Sequence, residues 1–377
     1  MRVVFNRWGV GRLFAAVCAA GLLMGAGGIA SAQQEEKVLN IYNWSDYIGP
    51  DVIKNFEKET GIKVRYDNFD SNEILHAKLV AGKTGYDIVV PSSHWAAIQM
   101  SGGLLAKLDK SKLPNLKNMD PDIQSQIAKL DPGNEHLVTW LWGYTTIGIN
   151  VDKVKAALGA EPLPDNVWEL VFNPKYVGKL KSCGVSMLDA GSEILPPALQ
   201  YLGKDPFSNS SADYNEAAAL LRSIRPFITL FSSSGYINDM VNGSICVALG
   251  WSGDISIARQ RAIDTKSGQK IEVLIPKKGG LLFFDTMAIP ADAPRPGNAH
   301  LFINYIMRPE VHASLSNQVL YANPNKEARK FVVPEVANNP AIFPTPAQLA
   351  TMVPPKPMTN DTRRLQTRVY TAFKTGR

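Results

Sequence analysis

Short apolar runs alternate with amphipathic stretches from residue 38 onward, a pattern typical of α/β folds. Ser71 is a candidate N-cap for a helix whose Ile74, Leu75 and Leu79 are predicted to share one buried face. The βαβαβ order of the first part of the chain predicts a doubly wound sheet. Its predicted strands cover residues 38–42, 62–66 and 86–90, and its predicted helices cover residues 50–60 and 71–81.

A second set of α/β elements follows residues 140–142. Two α/β halves of comparable size indicate two lobes with a cleft between them, and residues 143–151 are the predicted first crossing. The predicted lobes comprise residues 36–142 plus 262–310 and residues 143–261 plus 311–377. The second set has predicted strands over 182–188, 245–249, 271–275 and 283–289, and predicted helices over 193–202, 214–224, 298–306 and from Ile255 onward.

Residues 1–32 have the pattern of a cleaved secretory signal peptide. Arg2, Arg7 and Arg12 precede an apolar stretch that ends in Ala-Ser-Ala at 30–32, small residues that signal peptidase accepts. Cleavage is expected after about Ala32, which predicts an exported protein. A retained membrane anchor is the alternative, because the apolar stretch approaches the roughly 20 residues that a span requires.

The charge balance does not favour a nucleic-acid partner. The formal net charge is +6, and without the three arginines of the predicted signal peptide it falls to +3. No basic run is interleaved with aromatic residues in the manner of a nucleic-acid surface. A hydrophobic content of 45% predicts packed cores and excludes intrinsic disorder.

The predicted mature chain has two cysteines, Cys183 and Cys246. In an oxidising compartment an even pair suggests one disulfide. Two buried free thiols are the alternative.

Enzyme signatures in the sequence are incomplete. Residues 250–254 resemble a nucleophile elbow, but Asp254 occupies the place of the second glycine. The five histidines lack metal-ligand spacing, and no GxGxxG follows a strand, so neither a metal nor a cofactor is expected.

Aromatic residues recur within three positions of a carboxylate at predicted strand ends, as in Trp44 with Asp46 and Trp251 with Asp254. Rings and carboxylates together suit a small organic cation, because rings attract ammonium groups and carboxylates accept charge-assisted hydrogen bonds. The alternative is that the rings belong to the core and the acids cap helices.

Four segments of the chain resemble the periplasmic polyamine-binding proteins of ABC importers, and most of all the putrescine-binding members. These segments are Tyr-Asn-Trp-Ser-Asp-Tyr-Ile at 42–48, Gly-Tyr-Asp-Ile-Val-Val-Pro-Ser at 85–92, Gly-Trp-Ser-Gly-Asp at 250–254 and Phe-Phe-Asp-Thr-Met-Ala-Ile-Pro at 283–290. The resemblance implies the two-lobe periplasmic binding protein fold of type II, with two doubly wound mixed sheets and a hinged interlobe cleft. It also implies a periplasmic binding protein without enzymatic activity that delivers its ligand to an ABC permease of the inner membrane.

The resemblance further implies a disulfide between Cys183 and Cys246 and a set of ligand-binding residues. Asp254 and Asp285 are expected to neutralise one ammonium group of a diamine, while Asp46 and Glu193 face the other end directly or through water. At 190–193 the chain departs from the family pattern, so Ser192 is the alternative to Glu193. The expected set is Trp44, Ser45, Asp46, Tyr47, Ser92, Glu193, Trp251, Asp254, Phe283, Asp285 and Tyr321.

Putrescine is the expected ligand, because Ser45-Asp46 and Phe283 resemble the putrescine type, whereas spermidine-preferring relatives tend to carry Thr-Glu and Trp there. A spermidine-preferring protein and a polyamine sensor are the alternatives within this family, and cadaverine and agmatine stay open as ligands. An exported carbohydrate-binding protein or a glycosidase is the alternative from other classes, since sugar clefts also contain carboxylates and tryptophans. A monomer is expected.

Overall fold

The computed structural model describes residues 35–277 and 279–377, so the predicted signal peptide lies outside the described residues. Residues Glu35–Arg377 form one compact unit. Its strands are β1 (Val38–Trp44), β2 (Lys63–Phe69), β3 (Ile88–Val89), β4 (Val138–Asn150), β5 (Val185–Met187), β6 (Leu230–Phe231), β7 (Val247–Trp251), β8 (Ile271–Leu274) and β9 (Leu281–Met287).

Helices cover both sheets. Those of the first half of the chain are α1 (Pro50–Thr60), α2 (Asn72–Ala81), α3 (Ser93–Ser101), α4 (Pro121–Ala128), α5 (Val151–Leu158), α6 (Glu169–Phe172), α7 (Pro174–Leu180) and α8 (Gly191–Tyr201). Those of the second half are α9 (Ser211–Ile224), α10 (Tyr236–Asn242), α11 (Ser252–Asp264), α12 (Pro296–Ile306), α13 (Pro309–Val319), α14 (Pro334–Ala337), α15 (Pro346–Leu349) and α16 (Asn360–Thr375). Within the described ranges, no helix is both long enough and apolar enough to cross a membrane.

The strands form two sheets, each the centre of one lobe. The first sheet has the order β2-β1-β3, and all three strands are parallel, as the βαβαβ pattern predicts. The second sheet has the order β6-β5-β7-β4-β8, with β9 also paired to β4. It is mixed, because β5 runs parallel to β6 and β7 while β4 runs antiparallel to β7, β8 and β9. We call these the first and second lobes.

Two strands, β4 and β9, connect the lobes. The first part of β4 pairs with β9 and its last part pairs with β7 and β8. Beyond its pairing with β4, the chain at β9 also bridges the first lobe, where Ala288 lies opposite Val89 and Asp285 opposite Ser92. The predicted crossing at 143–151 therefore overlaps β4 through residue 150, and β4 begins five residues earlier, at Val138.

The lobe boundaries stay a prediction. The strand pairing differs from these boundaries at β8. This strand lies within the range 262–310, which is predicted to belong to the first lobe. Four residues of β8 pair with β4 in the second sheet, so the chain stays with that sheet through residue 274.

Local sequence signals explain most element ends. Pro50 occupies the first turn of α1, and Gly61 ends it with φ of 70°, a left-handed conformation that suits glycine. Ser71 caps α2 by accepting a hydrogen bond from the backbone N–H of Ile74. The prediction that Ile74 shares the buried face was wrong, because its side chain is 50% exposed while the α2 leucines pack inward.

The strand predicted over 86–90 is shorter in the structure, where β3 covers two residues. Asp87 is fully buried, and its carboxylate accepts hydrogen bonds from the backbone N–H of Asn40 and from Arg295. A buried carboxylate requires such partners. Through the Asn40 N–H, the side chain of Asp87 links the segment before β3 to β1.

The predicted disulfide between Cys183 and Cys246 is confirmed, with 5.4 Å between the two Cα atoms. Cys183 ends the turn before β5, and Cys246 immediately precedes β7. Because β5 and β7 are neighbouring parallel strands, the disulfide joins the adjacent starts of two strands in the second lobe.

Candidate ligand-binding site

A cavity lies between the two lobes, at the ends of strands and the first turns of helices. Counted together with the solvent at its open mouth, its empty space is about 470 Å³. The structure brings all eleven predicted binding residues to this cavity: Trp44, Ser45, Asp46, Tyr47, Ser92, Glu193, Trp251, Asp254, Phe283, Asp285 and Tyr321. Their role in binding stays a prediction, and Phe69, Asp70, Ser233, Ser234 and Ile237 complete the lining.

Asp254 lies in the first turn of α11, directly after the carboxyl end of β7. Its Oδ1 accepts a hydrogen bond from the Tyr321 hydroxyl at 2.6 Å, and its Oδ2 accepts one from the Tyr236 hydroxyl at 3.1 Å. Burial raises the pKa of Asp254 to about 7, although both tyrosine hydroxyls act in the opposite direction. The carboxylate is thus held by two donors and costly to ionise without a cation.

Asp285 points into the cavity from β9. Its Oδ1 accepts a hydrogen bond from the Ser92 hydroxyl at 2.7 Å, and its Oδ2 accepts one from the Tyr47 hydroxyl at 2.8 Å. Burial raises the pKa of Asp285 to about 7 as well, again against the effect of its two donors. The two aspartates therefore have the same local design, a buried carboxylate between two hydroxyl groups.

Glu193 is the third inner carboxylate; it is half-buried and lies in the first turn of α8. Its Oε2 accepts hydrogen bonds from the indole N–H of Trp251 at 3.1 Å and from the Thr145 hydroxyl at 3.5 Å. Burial raises its pKa to about 7, and the negative charges of Glu73 and Asp285 act in the same direction. Its neighbour Ser192 does not line this cavity, which favours Glu193 at the ambiguous position.

Aromatic rings form the walls between these carboxylates. The rings of Trp44 and Trp251 meet from opposite lobes, edge to face, with centroids 5.5 Å apart. Tyr47 and Tyr321 make a similar edge-to-face contact at 4.8 Å. The indole N–H of Trp44 donates to the Val90 carbonyl at 2.9 Å, which fixes the ring against the first sheet. The walls are consequently rigid and largely apolar.

Asp46 occupies the exposed rim of the cavity. Its backbone has φ of 53°, a left-handed conformation that aspartate tolerates better than most residues. Its carboxylate forms an ion pair with Arg261 of α11, across the two lobes. A guanidinium group therefore already neutralises this carboxylate in the structure, and the expected role of Asp46 opposite an ammonium group, directly or through water, stays a prediction.

Sequence reasoning missed several residues of the site. Phe69 ends β2 and Asp70 follows it, while Ser233 and Ser234 follow β6, so all four lie near the carboxyl ends of strands. The rule that ligands bind beyond the carboxyl ends of strands could have found them. Tyr236 carries no such signal, because it starts a helix and acts only through a contact with Asp254 that is distant in sequence.

The electrostatic character of the cavity is one-sided. It contains the buried carboxylates of Asp254 and Asp285 and the half-buried carboxylate of Glu193, and none of the described residues that line it is Lys, Arg or His. A buried carboxylate without a positive partner is unfavourable. The arrangement therefore favours a ligand that brings positive charges of its own.

Comparison with known families agrees with this geometry. The model of the family described as bacterial extracellular solute-binding protein matches residues 51–345. The chain belongs to this family. The resemblance inferred from the four sequence segments is confirmed.

Relatives of this solute-binding protein are named as binding proteins. The putrescine-binding periplasmic protein PotF of Escherichia coli strain K12 is 49% identical over 359 residues, which cover 95% of this chain and 96% of the relative. The putrescine-binding periplasmic protein SpuD of Pseudomonas aeruginosa strain UCBPP-PA14 is 46% identical and covers 93% of this chain and 96% of its own length. The spermidine/putrescine-binding periplasmic protein of E. coli K12 is 35% identical, with 86% of this chain and 88% of the relative covered.

Solved structures share the fold of this solute-binding protein. A protein from Listeria monocytogenes, described as belonging to a spermidine/putrescine ABC transporter, has a TM-score of 0.80 at 31% identity, covering 91% of this chain and 100% of that chain. The spermidine/putrescine substrate-binding protein PotD of Streptococcus pneumoniae has a TM-score of 0.71 at 26% identity, covering 90% and 99%. The expected two-lobe α/β solute-binding fold is confirmed.

Proposed function

We propose that this solute-binding protein is the periplasmic putrescine-binding component of a polyamine ABC importer. The observation that carries the proposal is the set of two buried aspartates and one half-buried glutamate in a cavity with aromatic walls and no basic side chain among its described lining residues. A linear diamine fits this set, because its ammonium groups pair with carboxylates while its methylene chain packs against rings. A neutral sugar would leave the carboxylates without a positive charge.

The two ammonium groups are proposed to bind at separate aspartates. The charge of Asp46 acts on Asp254, whereas the charge of Asp285 acts on Glu193. This grouping supports one ammonium group at Asp254 and the other between Asp285 and Glu193, instead of both aspartates at one end. A ligand with a single ammonium group would leave one buried carboxylate unpaired, so the cavity selects for a dication of matching length.

Putrescine is preferred over spermidine in this proposal. The relatives named for putrescine alone are 49% and 46% identical to this chain, and that named for spermidine and putrescine is 35% identical. Ser45-Asp46 and Phe283, which carry the putrescine-type resemblance, all line the cavity.

The cellular role follows from the same proposal. The chain is exported with cleavage near Ala32, captures putrescine in the periplasm as a monomer and delivers it to an inner-membrane permease without catalysing a reaction. The connecting strands β4 and β9 act as the hinge, since they pair with elements of both lobes.

Calorimetric titration of residues 33–377 with putrescine, spermidine and maltose tests the function. The chain is refolded first, because a tightly bound amine survives ordinary purification. One-to-one binding of putrescine, weaker binding of spermidine and no heat with maltose are expected. Binding of maltose, or silence with both amines, would overturn the proposal and direct attention to carbohydrate hydrolysis.

A further inference from the structure

The hydroxyl groups around the buried carboxylates are themselves held by other polar groups. A hydroxyl has one hydrogen to donate, and its oxygen can also accept. The Tyr236 oxygen accepts a hydrogen bond from the backbone N–H of Trp251 at 3.1 Å, and Tyr236 is fully buried. Because an N–H group only donates, the hydrogen of Tyr236 is directed to its other partner, Oδ2 of Asp254.

Asn72 holds Ser92 in a comparable way. The side-chain atom of Asn72 that faces the backbone N–H of Ser92, at 3.0 Å, must be the oxygen, because that N–H only donates. The amide nitrogen of Asn72 therefore faces the Ser92 hydroxyl, also at 3.0 Å, and donates to it. The hydrogen of Ser92 is then directed to Oδ1 of Asp285. Asn72 is 1% exposed, so water does not compete for these contacts.

A third hydroxyl repeats the arrangement. The Tyr321 oxygen accepts from the backbone N–H of Asp254 at 3.1 Å and donates to Oδ1 of the same residue. Both oxygens of Asp254 thus face donors of fixed direction. A protonated carboxyl group in this place would have to direct its hydrogen at a hydroxyl group that is already donating. The hydrogen-bond pattern therefore matches the ionised form.

We propose that Tyr236 and Asn72 are positioning residues that fix the direction of hydroxyl donors and so keep Asp254 and Asp285 in the ionised form that an ammonium group requires. The inference rests on the proposed function, because it assumes a cationic ligand. Neither residue lines the cavity, so both act through a neighbour: Tyr236 through Asp254, and Asn72 through Ser92.

The groups that face the two carboxylates determine how they titrate. Besides its hydroxyl partners, Asp254 is affected by the charges of Asp46 and Arg261. Asp285 has Ser92 and Tyr47 as partners, and its charge interacts with that of Glu193. Burial and the charge of Asp254 raise the pKa of Tyr236 well above its usual value, so the phenol keeps its hydrogen and acts as a donor. The Tyr236 hydroxyl is one of the two donors that lower the pKa of Asp254, against the effect of burial. Removing this hydroxyl is therefore expected to raise the pKa of Asp254.

The test compares Tyr236→Phe with the unsubstituted chain by calorimetric titration with putrescine at pH 6, 7 and 9. If the loss of one donor raises the pKa of Asp254 by about one unit, the dissociation constant rises about ninefold at pH 6, about fivefold at pH 7 and hardly at pH 9. Proton release at pH 7 increases by about 0.4 per ligand, measured in two buffers of different ionisation enthalpy.

Tyr214→Phe is the matched control. Tyr214 is equally buried, and its hydroxyl accepts a hydrogen bond from Gln366; neither residue lines the cavity. Tyr214→Phe therefore reproduces the cost of removing a buried tyrosine hydroxyl without removing a donor to Asp254. A carboxyl carbon NMR titration of Asp254 in the ligand-free chains provides a readout that does not depend on binding. Its midpoint is expected to move upward in Tyr236→Phe and to stay in place in Tyr214→Phe.

The role of Asn72 is tested by combining its substitution with one at its hydrogen-bond partner, Ser92. Asn72→Ala is expected to weaken putrescine binding more at pH 6 than at pH 9, and to have no further pH-dependent effect in a chain that already carries Ser92→Ala. Weakening by the same factor at every pH, with unchanged proton release, would overturn the inference and leave the proposed function intact. Failure of the unsubstituted chain to bind any amine would overturn both.

Discussion

Each of the three inner carboxylates of the cavity, Glu193, Asp254 and Asp285, combines two opposing effects. Burial disfavours the charged form, whereas hydroxyl and indole donors favour it, and the balance places the pKa values of Glu193, Asp254 and Asp285 at about 7. Such groups change charge near neutral pH, where ordinary carboxyl groups are fully ionised. The affinity of the site for cations must therefore depend on pH near neutrality.

Putrescine affinity is expected to fall as the pH is lowered from 8 to 6. An ammonium group requires an ionised carboxylate, so below pH 7 binding must first remove protons from the cavity. The dissociation constant should rise by at least about tenfold over this interval, with net proton release at pH 7. Calorimetric titration across the range measures both quantities, and an affinity independent of pH would contradict the assignment of these carboxylates.

The same pKa shifts determine the stability of the ligand-free chain. A carboxyl group whose pKa is about 7 when folded and about 4 when unfolded binds more protons in the folded state between these values. Its contribution to the free energy of unfolding is thus present at pH 4 and is lost as the pH rises toward 7. Above pH 7 the ionised carboxylates of the empty cavity destabilise the folded chain, and a bound dication compensates for their charge.

Asp254→Asn is expected to weaken putrescine binding roughly 100-fold or more, because one ammonium group loses its charged partner in a buried site. At pH 8 the ligand-free variant should melt at the same temperature as the unsubstituted chain or slightly higher, since a buried charge has been removed. Calorimetry and thermal unfolding test the pair of effects. A variant that loses stability and affinity together would indicate a structural role for Asp254 instead.

At the scale of helices and strands, local chemistry predicted the elements that begin or end with a specific residue. The bounds of α1 follow from Pro50 and Gly61, and those of α2 from Ser71. The start of α11 was missed by three residues, because Ser252 begins it without a side-chain cap and no apolar periodicity marks its first turn. The contacts of β3 and β8 depend on partners far along the chain, which periodicity does not reveal.

The sequence predicts more of the candidate site than local patterns alone would allow. Aromatic and acidic residues occur at the ends of predicted strands, and the segments that contain them resemble a known family. What the sequence did not reveal are contacts across the fold. The pairing of Asp46 with Arg261 joins two residues that are 215 positions apart. The hydroxyl of Tyr236 reaches Asp254 only because α10 and α11 pack together.

The disulfide joins two neighbouring strands, and its removal should affect stability but not binding. It closes a long loop, with a sequence separation of 63, so replacing both cysteines by serine should lower the free energy of unfolding by about 2–4 kcal/mol. Neither cysteine lines the cavity, and putrescine affinity of the folded variant should be unchanged. Denaturant unfolding and calorimetry measure the two properties. A large loss of affinity would show that the disulfide also shapes the cavity.

At the scale of the whole molecule, the lobes are held together by contacts outside the cavity as well as within it. Glu73 of α2 accepts a hydrogen bond from the backbone N–H of Ser192, at the start of α8. The guanidinium group of Arg363, in α16, lies 4.9 Å from the ring centroid of Trp95 and donates to Nε2 of His76 at 3.0 Å. Because α16 packs on α8 and α9 of the second lobe, these contacts join the lobes through residues that do not line the cavity.

Arg363→Leu should therefore weaken putrescine binding although Arg363 touches no residue of the candidate site. A ligand that binds the closed arrangement has a lower apparent affinity whenever closure becomes less favourable. Loss of a cation–π contact and a partly buried hydrogen bond predicts an increase of about five- to tenfold in the dissociation constant, expressed mainly as faster dissociation. Arg364→Leu is the control, because the side chain of Arg364 is 82% exposed and pairs with Asp361 on its own helix. Equal rates for both variants and the unsubstituted chain, measured by stopped-flow fluorescence, would mean that closure depends on the cavity contacts alone.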